Sequence, residues 1–140
     1  MEHRIEFVRE VGGVKYYNDS KGTNPDAAIK AVEAMVTPTV VIGGGYDKQS
    51  SYEEWIASFG DKVKCLVLLG ATADKIEATA RKAGFTNIVR VGSLKEAVEA
   101  SAVQAQSGDA VLLSPACASW DMFKSYEQRG TLFKEYVNQL

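Results

Sequence analysis

Three polar segments of the sequence hold the residues that could do chemistry. Asn18–Pro25 combines a carboxylate, an ammonium group and two hydroxyls, and it lies between a strand-like run and the start of a helix. Gly43–Lys48 joins three glycines to a lysine, and Ser114–Asp121 combines small residues with two hydroxyls. Glycine lets the backbone approach a ligand closely, and lysine places a point charge against a carboxylate or phosphate. The three segments together favour a site for an anionic ligand.

The first segment also has an explanation that needs no ligand. Its short polar side chains are of the kind that form turns and helix caps: Asp19, Ser20 and Asn24. Lys21 lies between them and does no capping, which favours a functional interpretation.

Familiar catalytic motifs do not fit the other two segments. A Walker A loop needs glycine before its lysine and Ser or Thr after it, whereas Asp47 and Gln49 flank Lys48. The dinucleotide pattern needs a glycine where Lys48 stands. Cys117 as a nucleophile would need a nearby base, and the single histidine, His3, lies at the far end of the sequence. With no metal-ligand spacing either, Cys117 is expected to be a buried packing residue, and the glycine run alone could form an ordinary turn.

The elements that must position these segments alternate between strands and helices. Two β-rich runs, 5–11 and 14–18, flank Gly12-Gly13, a dipeptide that suits a tight hairpin. Four apolar runs predict a buried parallel sheet: 38–42, 64–69, 87–91 and 110–113. The fold class is therefore expected to be α/β, with about six strands, mostly parallel, and helices on both faces. Ligands of such sheets bind at the carboxyl ends of the strands, where the three polar segments lie.

Five helices are expected between and after the strands. Asn24 and Pro25 predict the start of the first, whose inner face would include Val36. Ser93 and Glu96 form a capping box that opens another. The remaining three are expected at 51–59, at 72–83, ending at Gly84, and at 131–140. Phe123, Tyr126 and Arg129 also stand at helical spacing. They could form a half-buried helix face or leave Arg129 free to bind an acid, and the spacing does not distinguish these alternatives.

Length and composition limit the class of protein. A chain of 140 residues that is 46% hydrophobic can form one domain with its own core. Sixteen Lys and Arg nearly balance 18 Asp and Glu, so no global field attracts nucleic acid or an anionic membrane. The apolar runs are far shorter than the about 18 residues of a membrane span, and no secretory signal precedes them. With only two cysteines we expect reduced thiols and a cytoplasmic protein.

Longer strings of residues resemble the C-terminal domain of one protein family, the Mur ligases. Within this family they are most similar to the branch that adds D-glutamate. The matching strings are His3-Arg4, Asn18–Asn24, Gly44–Lys48 and Ser114–Gly130. Together they cover essentially the whole chain. Gly22, Gln49 and Tyr126 replace the alanine, glycine and phenylalanine common at these positions, and none of these changes removes a functional group.

The resemblance implies that residues 1–140 form a Rossmann-like domain, the third of three in an ATP-dependent amide ligase of peptidoglycan synthesis. In such enzymes ATP phosphorylates the carboxylate of UDP-N-acetylmuramoyl-L-alanine, and the amine of D-glutamate attacks the acyl phosphate. ATP and Mg²⁺ would be held mainly by the central domain, and the UDP moiety by the N-terminal domain. Since the chain contains neither domain, we expect it to be inactive alone. We also expect it to be monomeric.

The resemblance also assigns two sets of binding residues. Those that would bind D-glutamate are Thr23, Lys48, Ser119, Trp120 through its backbone, and Tyr126. Those that would contact the nucleotide are Arg4, Asp19 and Lys21, with Asp19 toward the ribose or base and the cations toward phosphate. No residue of this domain is assigned as catalytic or as a metal ligand.

Two alternatives remain at the level of sequence. One is a stand-alone, non-catalytic Rossmann-like module that binds an acidic amino acid or a nucleotide. The other is a ligase with a different substrate, because other Mur ligases and the folylpolyglutamate synthetases share the domain. The strings at Asp19–Lys21 and Ser114–Arg129 favour D-glutamate.

Overall fold

Six strands form one sheet in the computed structural model, which describes residues 1–140. They are β1 (Glu6–Val11), β2 (Val14–Asn18), β3 (Thr39–Gly43), β4 (Val63–Leu68), β5 (Ile88–Arg90) and β6 (Ala110–Leu113). Their order is β1-β2-β6-β3-β4-β5, with β1 antiparallel to β2 and every other neighbouring pair parallel. The predicted mixed sheet is confirmed. The carboxyl ends of β2, β6 and β3 are therefore side by side.

The hairpin between β1 and β2 turns where the sequence predicts. Gly12 and Gly13 have φ values of 60° and 80°, in the left-handed region that glycine enters without a steric penalty. The first strand begins one residue later than predicted, because Ile5 has a φ of 43° and cannot continue a strand.

Five helices cover the two faces of the sheet. They are α1 (Pro25–Ala34), α2 (Glu53–Ala57), α3 (Ala73–Lys82), α4 (Leu94–Gln104) and α5 (Tyr126–Asn138). The first three pack on one face and the last two on the other. None of them combines the length and the apolar character that a bilayer-spanning helix requires.

Side-chain caps mark the starts of two helices, as predicted. The Asn24 side chain accepts a hydrogen bond of 2.9 Å from the backbone N–H of Ala27 at the start of α1. Ser93 does the same for the N–H of Glu96 at 3.1 Å, which starts α4. These bonds satisfy donors that have no partner within the helix.

The extent of two helices was predicted wrongly. Because α1 ends at Ala34, Val36 lies beyond it and is 92% exposed instead of facing the core. The last helix begins at Tyr126, five residues before the predicted start. Ser125 caps it by accepting the N–H of Gln128 at 3.1 Å.

The core consists of two apolar layers separated by the sheet. The layer under α1–α3 includes Tyr52, Trp55 and Phe59, all nearly inaccessible to solvent. The layer under α4 and α5 includes Phe133 and Val137. Full burial of one such large apolar side chain stabilises the fold by about 1.5–3 kcal/mol. The two layers hold the sheet, and with it the carboxyl edge, in place.

Candidate functional site

Three loops meet at the carboxyl edge of the sheet, one after each of β2, β3 and β6. The last two are joined by backbone bonds: Gly44 N–H donates to Pro115 O, and Tyr46 N–H donates to Ala118 O, both at 2.9 Å. A Cβ added to Gly45 would lie 2.5 Å from the Ala118 carbonyl oxygen. The glycine run therefore allows the backbones of the two loops to approach each other closely. The sequence predicted a close approach of the same kind, but to a ligand.

A buried guanidinium joins the loop after β2 to the loop after β6. Arg129 is 3% exposed; its Nε and Nη2 donate to Ser20 Oγ and Ser20 O at 2.9 and 2.7 Å. Its Nη1 donates to Cys117 O at 3.0 Å. Burial lowers the pKa of Arg129 to about 10, so the group stays charged at neutral pH. The structure supports the buried-face alternative for Arg129 and places a positive charge beneath the loops, where the nearby Asp121 carboxylate partly offsets it.

Cys117 is a buried packing residue, as expected. Its Sγ lies 3.2 Å from Tyr52 Oη and 3.3 Å from Thr72 Oγ1. Burial raises the pKa of the thiol, which keeps it protonated and a poor nucleophile. Both cysteines are free thiols.

Three of the residues assigned to D-glutamate keep free polar groups at this edge. Thr23, Lys48 and Ser119 stand on the three different loops, and none of their side chains makes a hydrogen bond or salt bridge within the protein. Lys48 is exposed, whereas Ser119 is only 2% exposed. The backbone N–H groups of Ser119 and Trp120 also donate to no other group of the protein. Unpaired N–H groups in a turn of small residues can bind an anion.

The other two assigned residues lie around this centre. The ring of Tyr126 packs edge to face against His3, with centroids 5.9 Å apart. The side chain of Trp120 is 64% exposed and pairs with Tyr46. The backbone of Trp120 lies in the loop after β6, and its side chain points to solvent; its contact with D-glutamate stays a prediction.

The residues assigned to the nucleotide line one open pocket beside the loop after β2. Arg4 and Lys21 are exposed there and form no salt bridge. Asp19 is 4% exposed, and its Oδ1 accepts the N–H of Ile5 at 3.0 Å. Burial raises the pKa of Asp19 to about 6, against the lowering effects of that N–H and of Arg4. Lys48 does not line this pocket. Arg4, Lys21 and Lys48 therefore lie at the same edge of the sheet but not in the same pocket.

Sequence reasoning missed the contacts that hold the first residues of the chain. Lys21 N–H donates to His3 O at 2.9 Å, and the Asn18 side chain contacts both His3 Nδ1 at 2.9 Å and Glu6 Oε1 at 3.0 Å. These partners are more than ten residues apart, and no local pattern relates them. The first residues are thereby fixed to the same loop that carries Lys21. No group of three His, Cys, Asp or Glu side chains is arranged to hold a metal ion.

The mostly parallel sheet and the helices on both of its faces define an α/β domain of the Rossmann-like class. Comparison with known proteins identifies its family. Residues 3–117 match the family model described as "Mur ligase, glutamate ligase domain", and the chain belongs to this family.

Two named relatives are identical to this chain at more than half of its positions. The chain is 62% identical over 140 residues to a UDP-N-acetylmuramoylalanine–D-glutamate ligase of Lachnoclostridium phytofermentans, and 60% identical to one of Lachnospira eligens. In both cases the match covers 100% of this chain and 31% of the relative. The chain thus spans about a third of the length of these curated relatives.

Solved structures show the same fold at low sequence identity. UDP-N-acetylmuramate-alanine ligase MurC from Thermotoga maritima has a TM-score of 0.66 and 12% identity, covering 99% of this chain and 30% of that one. E. coli FolC in complex with ADP has a TM-score of 0.67 and 17% identity, covering 99% and 32%. A domain crystallised from a Haemophilus ducreyi ligase has a TM-score of 0.59 and 14% identity, covering 95% and 99%. This domain fold is therefore shared by larger ligases and has also been crystallised separately.

Proposed function

We propose that this chain is the amino-acid-binding domain of a larger ATP-dependent ligase. The reaction joins D-glutamate to the carboxyl group of UDP-N-acetylmuramoyl-L-alanine. The observation that carries the proposal is the loop edge, where Thr23, Lys48 and Ser119 keep free polar groups on three mutually connected loops. The names of the relatives support the choice of the two substrates.

The free groups of the loop edge match the charges of D-glutamate. This amino acid brings two carboxylates, and each needs a cation or several neutral donors. Lys48 supplies the cation; the hydroxyls of Thr23 and Ser119 and the backbone N–H of Trp120 supply donors. Arg129 contributes positive potential from beneath the loops, because none of its three hydrogen-bond acceptors carries a charge. Tyr126 completes one wall of the subsite in this proposal.

The pocket beside the loop after β2 fits a part of the nucleotide. Arg4 and Lys21 are unpaired cations there and would contact phosphate oxygens. Asp19 would contact a ribose or base through its second carboxylate oxygen, since Oδ1 is already bonded to Ile5. ATP, when bound, supplies the phosphoryl group that activates the carboxylate. Its phosphates and Mg²⁺ would be held mainly by the part of the enzyme outside this chain.

In this proposal the domain acts by positioning. An amine and an acyl carbon held in contact react far faster than the same groups free in solution. The loop edge would hold the amine of D-glutamate toward the acyl phosphate, and the surrounding cations would stabilise the charge that moves to the leaving phosphate. No side chain of the loop edge is assigned as a general base.

Substitution of Lys48 in the complete enzyme tests the assignment. For Lys48→Ala we expect the KM for D-glutamate to rise about 10- to 100-fold, because a charge-assisted contact contributes about 1.5–3 kcal/mol. The KM for ATP should change less than about twofold. Lys82→Ala is the matched control, because Lys82 is an exposed lysine in the last turn of α3, at the end of the sheet opposite the loop edge. An unchanged KM for D-glutamate in Lys48→Ala would defeat the assignment.

The proposal also covers surroundings and assembly. The complete enzyme would act as a monomer in the cytoplasm, where ATP is available. The near-neutral charge of this chain, −2, gives it no general attraction to nucleic acid or to an anionic membrane.

A further inference from the structure

An exposed pair of aromatic side chains stands at the loop edge and has no role in the binding described above. Tyr46 and Trp120 are 41% and 64% exposed, and their ring centroids are 5.3 Å apart with the planes at 61°. The other tryptophan of the chain, Trp55, is completely buried. Adjacent exposed aromatic side chains commonly mark a binding surface.

The backbone fixes where this pair stands. Tyr46 belongs to the loop after β3 and Trp120 to the loop after β6, and these strands are parallel neighbours. Tyr46 pairs with Ala118 in an isolated antiparallel bridge, in which Tyr46 N–H donates to Ala118 O. The two rings are therefore held together by the same contacts that join the loops.

The pair directly adjoins the groups assigned to D-glutamate. Trp120 follows Ser119, and Tyr46 precedes Lys48 by two residues. The two charged residues directly next to the pair in sequence are both engaged, Asp47 by Lys75 at 3.5 Å and Asp121 by the backbone N–H of Ala71 at 3.0 Å. The rings thus present an uncharged, apolar surface at the rim of a polar subsite.

The chemistry of the reaction determines what must approach this rim. The amine of D-glutamate has to contact the carboxyl carbon of the alanyl residue, so the alanyl end of the acceptor must enter beside the D-glutamate subsite. That end carries the methyl groups of its alanyl and lactoyl units. They need an apolar surface, whereas the rest of the acceptor is polar and anionic.

We propose that the Tyr46–Trp120 pair binds the alanyl end of UDP-N-acetylmuramoyl-L-alanine and selects for its methyl group. This inference rests on the proposed function. The side chain of Trp120 thereby acts on the acceptor, while its backbone N–H acts on D-glutamate.

Kinetics of the complete enzyme test the proposal. For Trp120→Ala we expect the KM for UDP-N-acetylmuramoyl-L-alanine to rise about tenfold, because an aromatic contact surface is lost. The KM values for D-glutamate and ATP should stay within about twofold of the wild type. The wild type should also prefer the alanyl acceptor to its glycyl analogue by about tenfold or more, and Trp120→Ala should lose most of this preference.

Two further variants make the result specific. Trp120→Phe keeps an aromatic face and should retain most of the acceptor affinity, and Tyr46→Ala should raise the same KM in the same direction. Phe7→Ala is the matched control: Phe7 is 52% exposed and pairs with Tyr17 on the edge hairpin, and its removal should change none of the three KM values.

Two outcomes would overturn the proposal. An equal rise in the KM for D-glutamate would assign the pair to the amino-acid subsite. A fall in kcat with all three KM values unchanged would mean that the pair contacts the rest of the polypeptide. Failure of the proposed function is a separate result: it would appear as an unchanged KM for D-glutamate in Lys48→Ala, whatever the Trp120 variants show.

Discussion

Arg129 is a buried charge whose hydrogen bonds connect parts of the chain that are remote in sequence. Moving a guanidinium out of water costs several kcal/mol. Three hydrogen bonds from a charged donor, each contributing about 1.5–3 kcal/mol, roughly offset that cost. The net contribution to stability is therefore small. The effect of the arrangement is instead to connect Arg129 on α5 to Ser20 in the loop after β2, two residues that are 109 positions apart in the sequence.

Asp19 is a second buried charge in the same region, and its ionisation should make stability depend on pH. Burial raises its pKa to about 6, whereas the ordinary value is near about 4. A carboxyl group whose pKa is raised by folding binds its proton more tightly in the folded state. The stability that it contributes is therefore fully present below about pH 4 and is lost as the pH rises through about 6.

The variant Asp19→Asn should remove this pH dependence. We expect its free energy of unfolding, relative to that of the wild type, to increase by about 2 kcal/mol between pH 4 and pH 7. Urea unfolding of both proteins across this range measures the difference, in which the other carboxyl groups cancel. A flat difference for Asp19→Asn would contradict the assigned cause.

At the scale of elements, α5 sets the geometry of the site at its N-terminal end. Its first turns carry Tyr126 and Arg129, and its fifth residue is Gly130, which is buried. A Cβ added to Gly130 would overlap the ring of His3 and lie 3.0 Å from Asn18 Nδ2. The helix thus accepts a residue of poor helix propensity because the first residues of the chain and β2 pack directly against it.

Gly130→Ala tests this packing against helix propensity. Alanine would favour the helix by about 1 kcal/mol, whereas forcing an extra methyl group into a filled space costs about 1–3 kcal/mol. We expect a net loss of up to about 2 kcal/mol in the free energy of unfolding. In a His3→Ala background the space is available, so the same change should be neutral or stabilising. A double-mutant cycle measures the coupling, and stabilisation by Gly130→Ala in the wild-type background would refute the argument.

Local signals account for most of what could be predicted from sequence. The Gly12-Gly13 turn, the Asn24 cap and the strand at Ala110–Leu113 each depend on neighbouring residues, and the structure has them as expected. The start of α5 was missed, although Tyr126 and Arg129 already stood at helical spacing before the predicted start at residue 131. Ser125 with Gln128 three residues later was the capping signal that could have revealed it.

Long-range contacts account for what could not be predicted. The bonds from Arg129 to Ser20, and from Ile5 to the Asp19 carboxylate, join residues that no periodicity relates. Val36 matched the helical spacing of α1, but the helix had already ended, and spacing carries no information about where a chain leaves a face. The residues assigned to the site came from the family resemblance, and their roles stay predictions.

At the scale of the whole molecule, the chain corresponds to about a third of its named relatives. The pocket lined by Arg4, Asp19 and Lys21 is open, and the loop edge presents exposed groups such as Lys48 and Trp120 to solvent. Both features are expected of one half of a binding site, which binds its ligands tightly only when a second surface closes over them.

The 140-residue chain alone is therefore expected to be inactive. Supplied with ATP, D-glutamate and UDP-N-acetylmuramoyl-L-alanine, it should release no phosphate above the background of a sample without protein. The complete enzyme serves as the positive control in the same assay. Circular dichroism of the same sample should show a folded α/β protein, so that inactivity is not mistaken for unfolding. Phosphate release by the folded chain would contradict the expectation.

The link from Arg129 to Ser20 and Cys117 has a consequence for enzyme engineering. A chimera that takes the segment after β6 from a ligase of different amino-acid specificity would replace Arg129 and Cys117 but keep Ser20, unless the segment after β2 came from the same parent. Three parts of the chain are linked by these hydrogen bonds: the carbonyl of Cys117, both oxygens of Ser20 and the first turns of α5. Specificity should therefore transfer between relatives only when these pieces are transplanted together.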